Sequence, residues 1–134
     1  MEEVLKFLKN NPTYYVGTVD ADGNPQIRPF GTIAEINGSL YIQTGKVKDC
    51  YKQMEAHPRV CLCTFSPETG TWLRLNADAI PDDSAETCQA MLDEYPMLGD
   101  RYAAGDGNCV CLRLDNVEAT IYSLTGEEPK TYTF

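Results

Sequence analysis

Histidine is almost missing from this chain: His57 is the only one. Any Ser-His-Asp or Cys-His catalytic set would have to be built around it. It stands before Pro58 at the end of a helical pattern, a place that suits a partner for a helix C-terminus better than a base. No serine lies in a nucleophile motif, so the sequence argues against a hydrolase. There is no G-x-G-x-x-G after a strand and no G-x-x-x-x-G-K-[ST], so the dinucleotide-Rossmann and P-loop readings fail as well. No apolar run approaches the length that crosses a bilayer. Met1-Glu2-Glu3-Val4-Leu5-Lys6 has none of the layout of a signal peptide, and a cytoplasmic location follows as the expectation.

Basic residues are scarce in one half. Residues 1–75 carry eight Lys/Arg and eight Asp/Glu, whereas residues 76–134 carry three and twelve. The formal net charge of −9 therefore sits wholly in the C-terminal part, and so acidic a surface argues against nonspecific binding to nucleic acid or anionic membrane. A small anionic ligand held locally by the lysines of the neutral half is compatible with it. Six cysteines without an export signal read as reduced thiols rather than a disulfide framework. In Cys61-Leu62-Cys63 and Cys109-Val110-Cys111 each pair shares one face of a strand. Structural zinc sites put two to four residues between cysteines, so these pairs, like Cys50 and Cys88, read as small core residues and no metal is expected.

At 134 residues the chain predicts one domain with a real core. Residues 2–10 form an amphipathic helix stopped near Pro12. Tyr14–Val19 is a strand, residues 20–25 are dense turn chemistry, and a second strand runs from Gln26 towards Ile36. Pro29 inside it marks an edge or bulge, and Gly31 a close backbone approach. Asn37-Gly38 turns the chain into strand 39–44, followed by a short helix ending at Pro58. Strands over 59–65 and 71–80, a helix over 85–95 capped by Ser84, and strand material over 109–114 and 117–124 complete the chain. Meander order with few helices predicts an α+β, mainly β fold: a six-stranded antiparallel barrel with flanking helices.

Tyr41-Ile42-Gln43-Thr44-Gly45-Lys46-Val47-Lys48 leads from a strand into a helix, with Lys52 one turn beyond Lys48. A hydroxyl, a glycine, free N–H groups and ammonium groups at a helix start suit a phosphate; a solvated lysine face is the plain alternative. Arg28 offers a fork of donors to a ligand at the open strand edge, or a surface salt bridge. These stretches, with Asn24-Pro25-Gln26-Ile27-Arg28-Pro29-Phe30, Gln53–Val60 and Thr71-Trp72-Leu73-Arg74-Leu75, resemble the FMN-binding split barrels related to pyridoxamine 5′-phosphate oxidase over nearly the whole chain.

That resemblance implies a homodimer with FMN at the subunit interface. The isoalloxazine would lie along Arg28, Pro29, Phe30, Gly31 and Gln43, with Thr44, Lys46, Lys48 and Lys52 at the phosphate. Trp72 and Arg74 would approach from the facing region or the other subunit. It further implies a small-molecule oxidoreductase fed by a reduced nicotinamide, the cofactor carrying the redox chemistry. A flavin carrier or electron-transfer protein without turnover, and a barrel with a degenerate site, are the alternatives. Where the oxidase pairs serine with arginine and lysine, this chain has lysines only. Beyond Arg113 its one basic residue is Lys130, so pyridoxamine phosphate is not the expected substrate. Asn76 replaces a glycine common after the tryptophan strand, which implies a different local backbone path.

Overall fold

The computed structural model describes residues 1–134. Helix α1 (Glu2–Asn10) buries Val4 and Leu8, four apart on one stripe. It stops where Asn11 folds back, its backbone and side-chain N–H groups both donating to Phe7 O. Strand β1 (Tyr14–Val19) turns through Asp20, whose carboxylate accepts from the N–H groups of Asp22 and Asn24, into β2 (Pro25–Phe30). Then come β3 (Ala34–Ile36), β4 (Ser39–Gly45), α2 (Asp49–Ala56), β5 (Arg59–Ser66) and β6 (Thr71–Asp82). Helix α3 (Ala85–Glu94), a 3-10 turn (Pro96–Asp100), β7 (Cys109–Ser123) and β8 (Lys130–Thr133) finish the chain. The mainly β, α+β architecture is the expected one.

Eight strands replace the expected six. The single strand predicted over residues 26–36 is two, because Gly31–Ile33 carries the chain from one end of the sheet to the other. Pro81 does not close β6, which runs on to Asp82 with Pro81 opposite Leu112. The two pieces expected around Asp115-Asn116 are one long strand, β7, irregular there: the β6–β7 register shifts between Asn76 and Asp78, and Asn116 has φ 50°.

The strand order is β2-β1-β5-β6-β7-β4-β3, antiparallel throughout, with β8 paired to β7. Laid flat, β2 and β3 would stand about 29 Å apart at roughly 4.8 Å per strand. The few residues joining Phe30 to Ala34 span at most about 14 Å. The sheet must therefore curl until its ends nearly meet, leaving a seam at the connector. Tyr14, Val16, Ile42, Leu62, Leu73, Leu75 and Leu112 fill the inside, with Leu8 of α1 and Met54 of α2 closing it.

The outside is treated unequally. Over β3, β4 and β7, α3 lays Cys88 and Met91 onto Ala34, Tyr41, Cys109 and Cys111. Ser84 caps this helix as expected, its hydroxyl accepting from Thr87 N. Over β2, β1, β5 and β6 the outer side chains remain in the open, Ile27 being 69% and Tyr15 48% exposed.

Candidate functional site

Strand β2 has a neighbour on one side only, so it is the sheet edge that Pro29 announced. Alternation along it sends Ile27 and Pro29 outward and Arg28 to the side of α2. The Arg28 guanidinium is half-buried and donates to Val16 O (3.1 Å) and Thr18 Oγ1 (2.6 Å) through Nη1, and to Gln53 Oε1 (3.1 Å) through Nη2. All three acceptors are neutral, and no carboxylate lies within ion-pair distance of it. Of the two readings open for Arg28, the surface salt bridge is absent. Phe30 packs beside Tyr14, ring centroids 6.1 Å apart.

The connector Gly31–Ile33 is pinned from both sides. Tyr14 donates its hydroxyl to Thr32 O from inside the barrel, and burial holds that phenol well above its ordinary range. Tyr95 both donates to Ile33 O (2.9 Å) and accepts from Ile33 N (3.1 Å). Gln43 N donates to Thr32 Oγ1 (3.1 Å), which sets the connector beside β4. Gly31 is exposed. The Gln43 amide is buried and turned towards Thr44 O (2.9 Å) and Cys109 Sγ.

Thr44 is also buried, its hydroxyl 3.6 Å from Cys50 Sγ. Gly45 lies under Asn108 and Tyr102, where a Cβ would come within 3.1 Å of both, so this glycine permits a close approach. Asn108 then receives the next two backbone N–H groups: Lys46 N on its carbonyl (2.8 Å) and Val47 N on its side chain (3.2 Å). Lys46 extends to Asp83 (2.5 Å), a contact that raises the ammonium pKa and lowers that of the carboxyl. Lys48 does not share a helix face with Lys52: it is the N-cap residue of α2, outside the first turn. Both are exposed and free of carboxylate partners. The structure therefore presents Arg28, Lys48 and Lys52 as uncompensated cations around α2. Lys46 is engaged, and the side chains of Gln43 and Thr44 are both buried, Gln43 beside Cys109 and Thr44 beside Cys50.

Trp72 and Arg74 lie on the open outer face. Trp72 stacks on Tyr122 of β7 (4.3 Å, 17°), and the Arg74 guanidinium sits 5.0 and 5.5 Å from the two rings. Cross-strand register sets Pro29, Tyr15, Cys63 and Arg74 in one row across the face, with Phe65 beside Trp72 in the next. Pro29 and Trp72 thus share a surface that Gln43 and Thr44 do not.

The profile of the pyridoxamine 5′-phosphate oxidase family matches residues 1–115. The chain belongs to this family. Its structure is similar to that of a NimC/NimA family protein from Clostridium acetobutylicum, at 33% identity, TM-score 0.92, and coverage of 100% of this chain and 93% of that one. It also shares the fold of a pyridoxamine 5′-phosphate oxidase-related, FMN-binding protein from Nostoc punctiforme (19% identity, TM-score 0.71, 96% and 90% covered). General stress protein 26 of Bacillus anthracis is a third such structure (15%, TM-score 0.74, 99% and 98%). None of the curated proteins compared matches the chain.

Within this family member, sequence reasoning missed Thr18, Gln53, Asn108 and Tyr122. Only tertiary pairing brings them to the site, although an aromatic at 122 in a strand was a readable signal. His57 takes the C-cap place of α2, as expected of it. Cys50, Cys88, Cys109 and Cys111 are buried core thiols, but Cys61 and Cys63 face the open side half-buried. A cleft of about 840 Å³ lies elsewhere, among Phe7, Asn10, Ser66 and Glu68, and no cation lines it.

Proposed function

We propose that this chain is an FMN-binding flavoprotein, a homodimer with the cofactor at the subunit interface, acting on a small molecule in the reducing cytoplasm. The carrying observation is Arg28. In a chain with an excess of acid, it is held half-buried on an edge strand by neutral oxygens alone. Removing a cation from water without a counter-charge costs free energy, and a phosphate supplies one. The residues fit the cofactor at both ends: Arg28, Lys48 and Lys52 for the phosphate, and Pro29, Tyr15, Trp72 and Arg74 for an aromatic ring.

The open face supports the dimer reading. Its aromatic centre, ringed by polar residues, has the composition of an interface between copies rather than of a free surface. A second copy laid on it would bring Trp72 and Arg74 to the partner's site and exclude water from a ring held there. When bound, FMN supplies the electron or hydride transfer. Arg28 and the lysines fix the phosphate end, and the tyrosine-pinned connector fixes the backbone beside the ring.

The visible absorption spectrum of the purified protein, before and after adding FMN and desalting, tests the reading. A retained flavin spectrum is expected, and a colourless protein that refuses FMN would overturn it. Steady-state oxidation of a reduced nicotinamide with quinone or nitroaromatic acceptors then separates turnover from carriage.

A further inference from the structure

We infer that Gln53, acting with Thr18, is the residue that positions the Arg28 fork for the phosphate group; the inference rests on the flavin reading above. Gln53 Oε1 accepts two hydrogen bonds, from Thr18 Oγ1 at 2.5 Å and from Arg28 Nη2 at 3.1 Å. Thr18 Oγ1 in turn accepts from Arg28 Nη1 at 2.6 Å, which closes a ring of three side chains. Both neighbours of the amide are donors, so its oxygen and not its nitrogen faces them.

A guanidinium has five N–H groups in a fixed plane. Val16 O and Thr18 Oγ1 take the two on Nη1, Gln53 takes one on Nη2, and Nε donates to nothing. Thr18 Oγ1 and Gln53 Oε1 touch each other, so they occupy the end-on pair of hydrogens, one from each Nη. What remains is the side-on pair, Nε–H with the second Nη2–H. That pair matches the spacing of two oxygens on one phosphate. The ring therefore does two things: it fixes the plane of the guanidinium, and it leaves one bidentate edge open.

The choice of residue at position 53 matters as much as its place. A glutamate there would accept the same hydrogen bonds and hold the same plane, but it would neutralise Arg28. The amide holds the cation without cancelling it, which is useful only when the counter-charge arrives from outside. Helix α2 carries Gln53 one residue after Lys52 and five after its N-cap Lys48, so one short helix and its cap set both the exposed lysines and the arginine fork.

The test uses the full chain, with FMN and riboflavin as paired ligands, affinities read by fluorescence quenching and folding by thermal melting. Gln53→Glu is expected to melt at or above the wild-type temperature, lose about 100-fold in FMN affinity, and bind riboflavin as before. Gln53→Ala is expected to lose about tenfold for FMN only, and it decides the matter should the glutamate variant fail to fold. Equal losses for FMN and riboflavin, or Gln53→Glu with unchanged FMN affinity, would overturn the positioning role alone. A wild-type protein that binds FMN no better than riboflavin would overturn the phosphate reading, and the inference with it.

Discussion

The two outer faces of the curled sheet carry the same motif and meet different fates. Cys61-Leu62-Cys63 in β5 and Cys109-Val110-Cys111 in β7 both put two thiols on the outside and a large aliphatic inside. Helix α3 covers the second pair, where Cys88 Sγ reaches Cys109 O and burial pushes the Cys109 thiol up to about 12 and raises Cys111 as well. Nothing in the monomer covers the first pair. Partial burial raises Cys61, and the charge of Arg74 opposes that rise. Alternation decides which residues share a face. What lies on top of the face is decided by a helix far away in the chain, or by another molecule.

The sharpest way to break this contrast is to put charge on the open face. For the proposed dimer, Phe65→Glu combined with Tyr15→Glu should weaken self-association by at least about 100-fold, the scale of interface hot spots, and leave monomer stability within about 0.5 kcal/mol. Sedimentation equilibrium reads the first and chemical denaturation the second; a variant as dimeric as the parent would remove the face from the interface. The covered face should answer in the opposite way. Met91→Ala should cost about 2–5 kcal/mol of unfolding free energy through the cavity it leaves, with association unchanged. Thiol labelling sharpens the contrast further. Cys61 and Cys63 should react before the four buried cysteines, and their rate should fall as protein concentration rises, whereas concentration-independent labelling would argue for a permanently open face.

The smallest effect concerns the loop that supports Lys46 and Val47. Asp106 accepts from the N–H groups of Cys109, Ala103 and Asn108, and these bonds hold its carboxyl below the ordinary range. A folded pKa below the unfolded one gives stability that is complete above the unfolded value, about 3.9. That stability is lost as pH falls through the folded value. Asp106→Asn should therefore flatten the acid limb of a urea-midpoint profile below about pH 4. An acid limb identical to the parent's would show the turn to be neutral in energy.

Local chemistry was legible in the sequence, and pairing over distance was not. The α1 stripe, β1, the Ser84 cap and the edge strand at Pro29 could each be read from a few neighbouring residues. The division of residues 26–36 could not, because Gly31–Ile33 is a connector only by virtue of the strands on either side of it. The fork of Arg28 was readable as a donor in search of an acceptor; Thr18 and Gln53, which set its direction, lie on other elements. Lys46 looked like its neighbours until the fold gave it Asp83. Spacing made Lys48 a helix residue, but the helix begins after it, and its role as N-cap depends on the turn through Gly45.

Strand β7 has one further consequence. β6 occupies one of its edges along most of its length, so the opposite edge serves β4 over Cys109–Arg113 and β8 over Glu118–Ile121. Four residues of β8 are thus a guard rail on a long strand that would otherwise offer its peptide groups to any passing chain. Val117 and Phe134 exchange backbone hydrogen bonds at one end of the rail, and Tyr132 fastens it to Glu3 of α1. Loosening those fastenings would uncover four residues of β7 edge as a template for sheet extension.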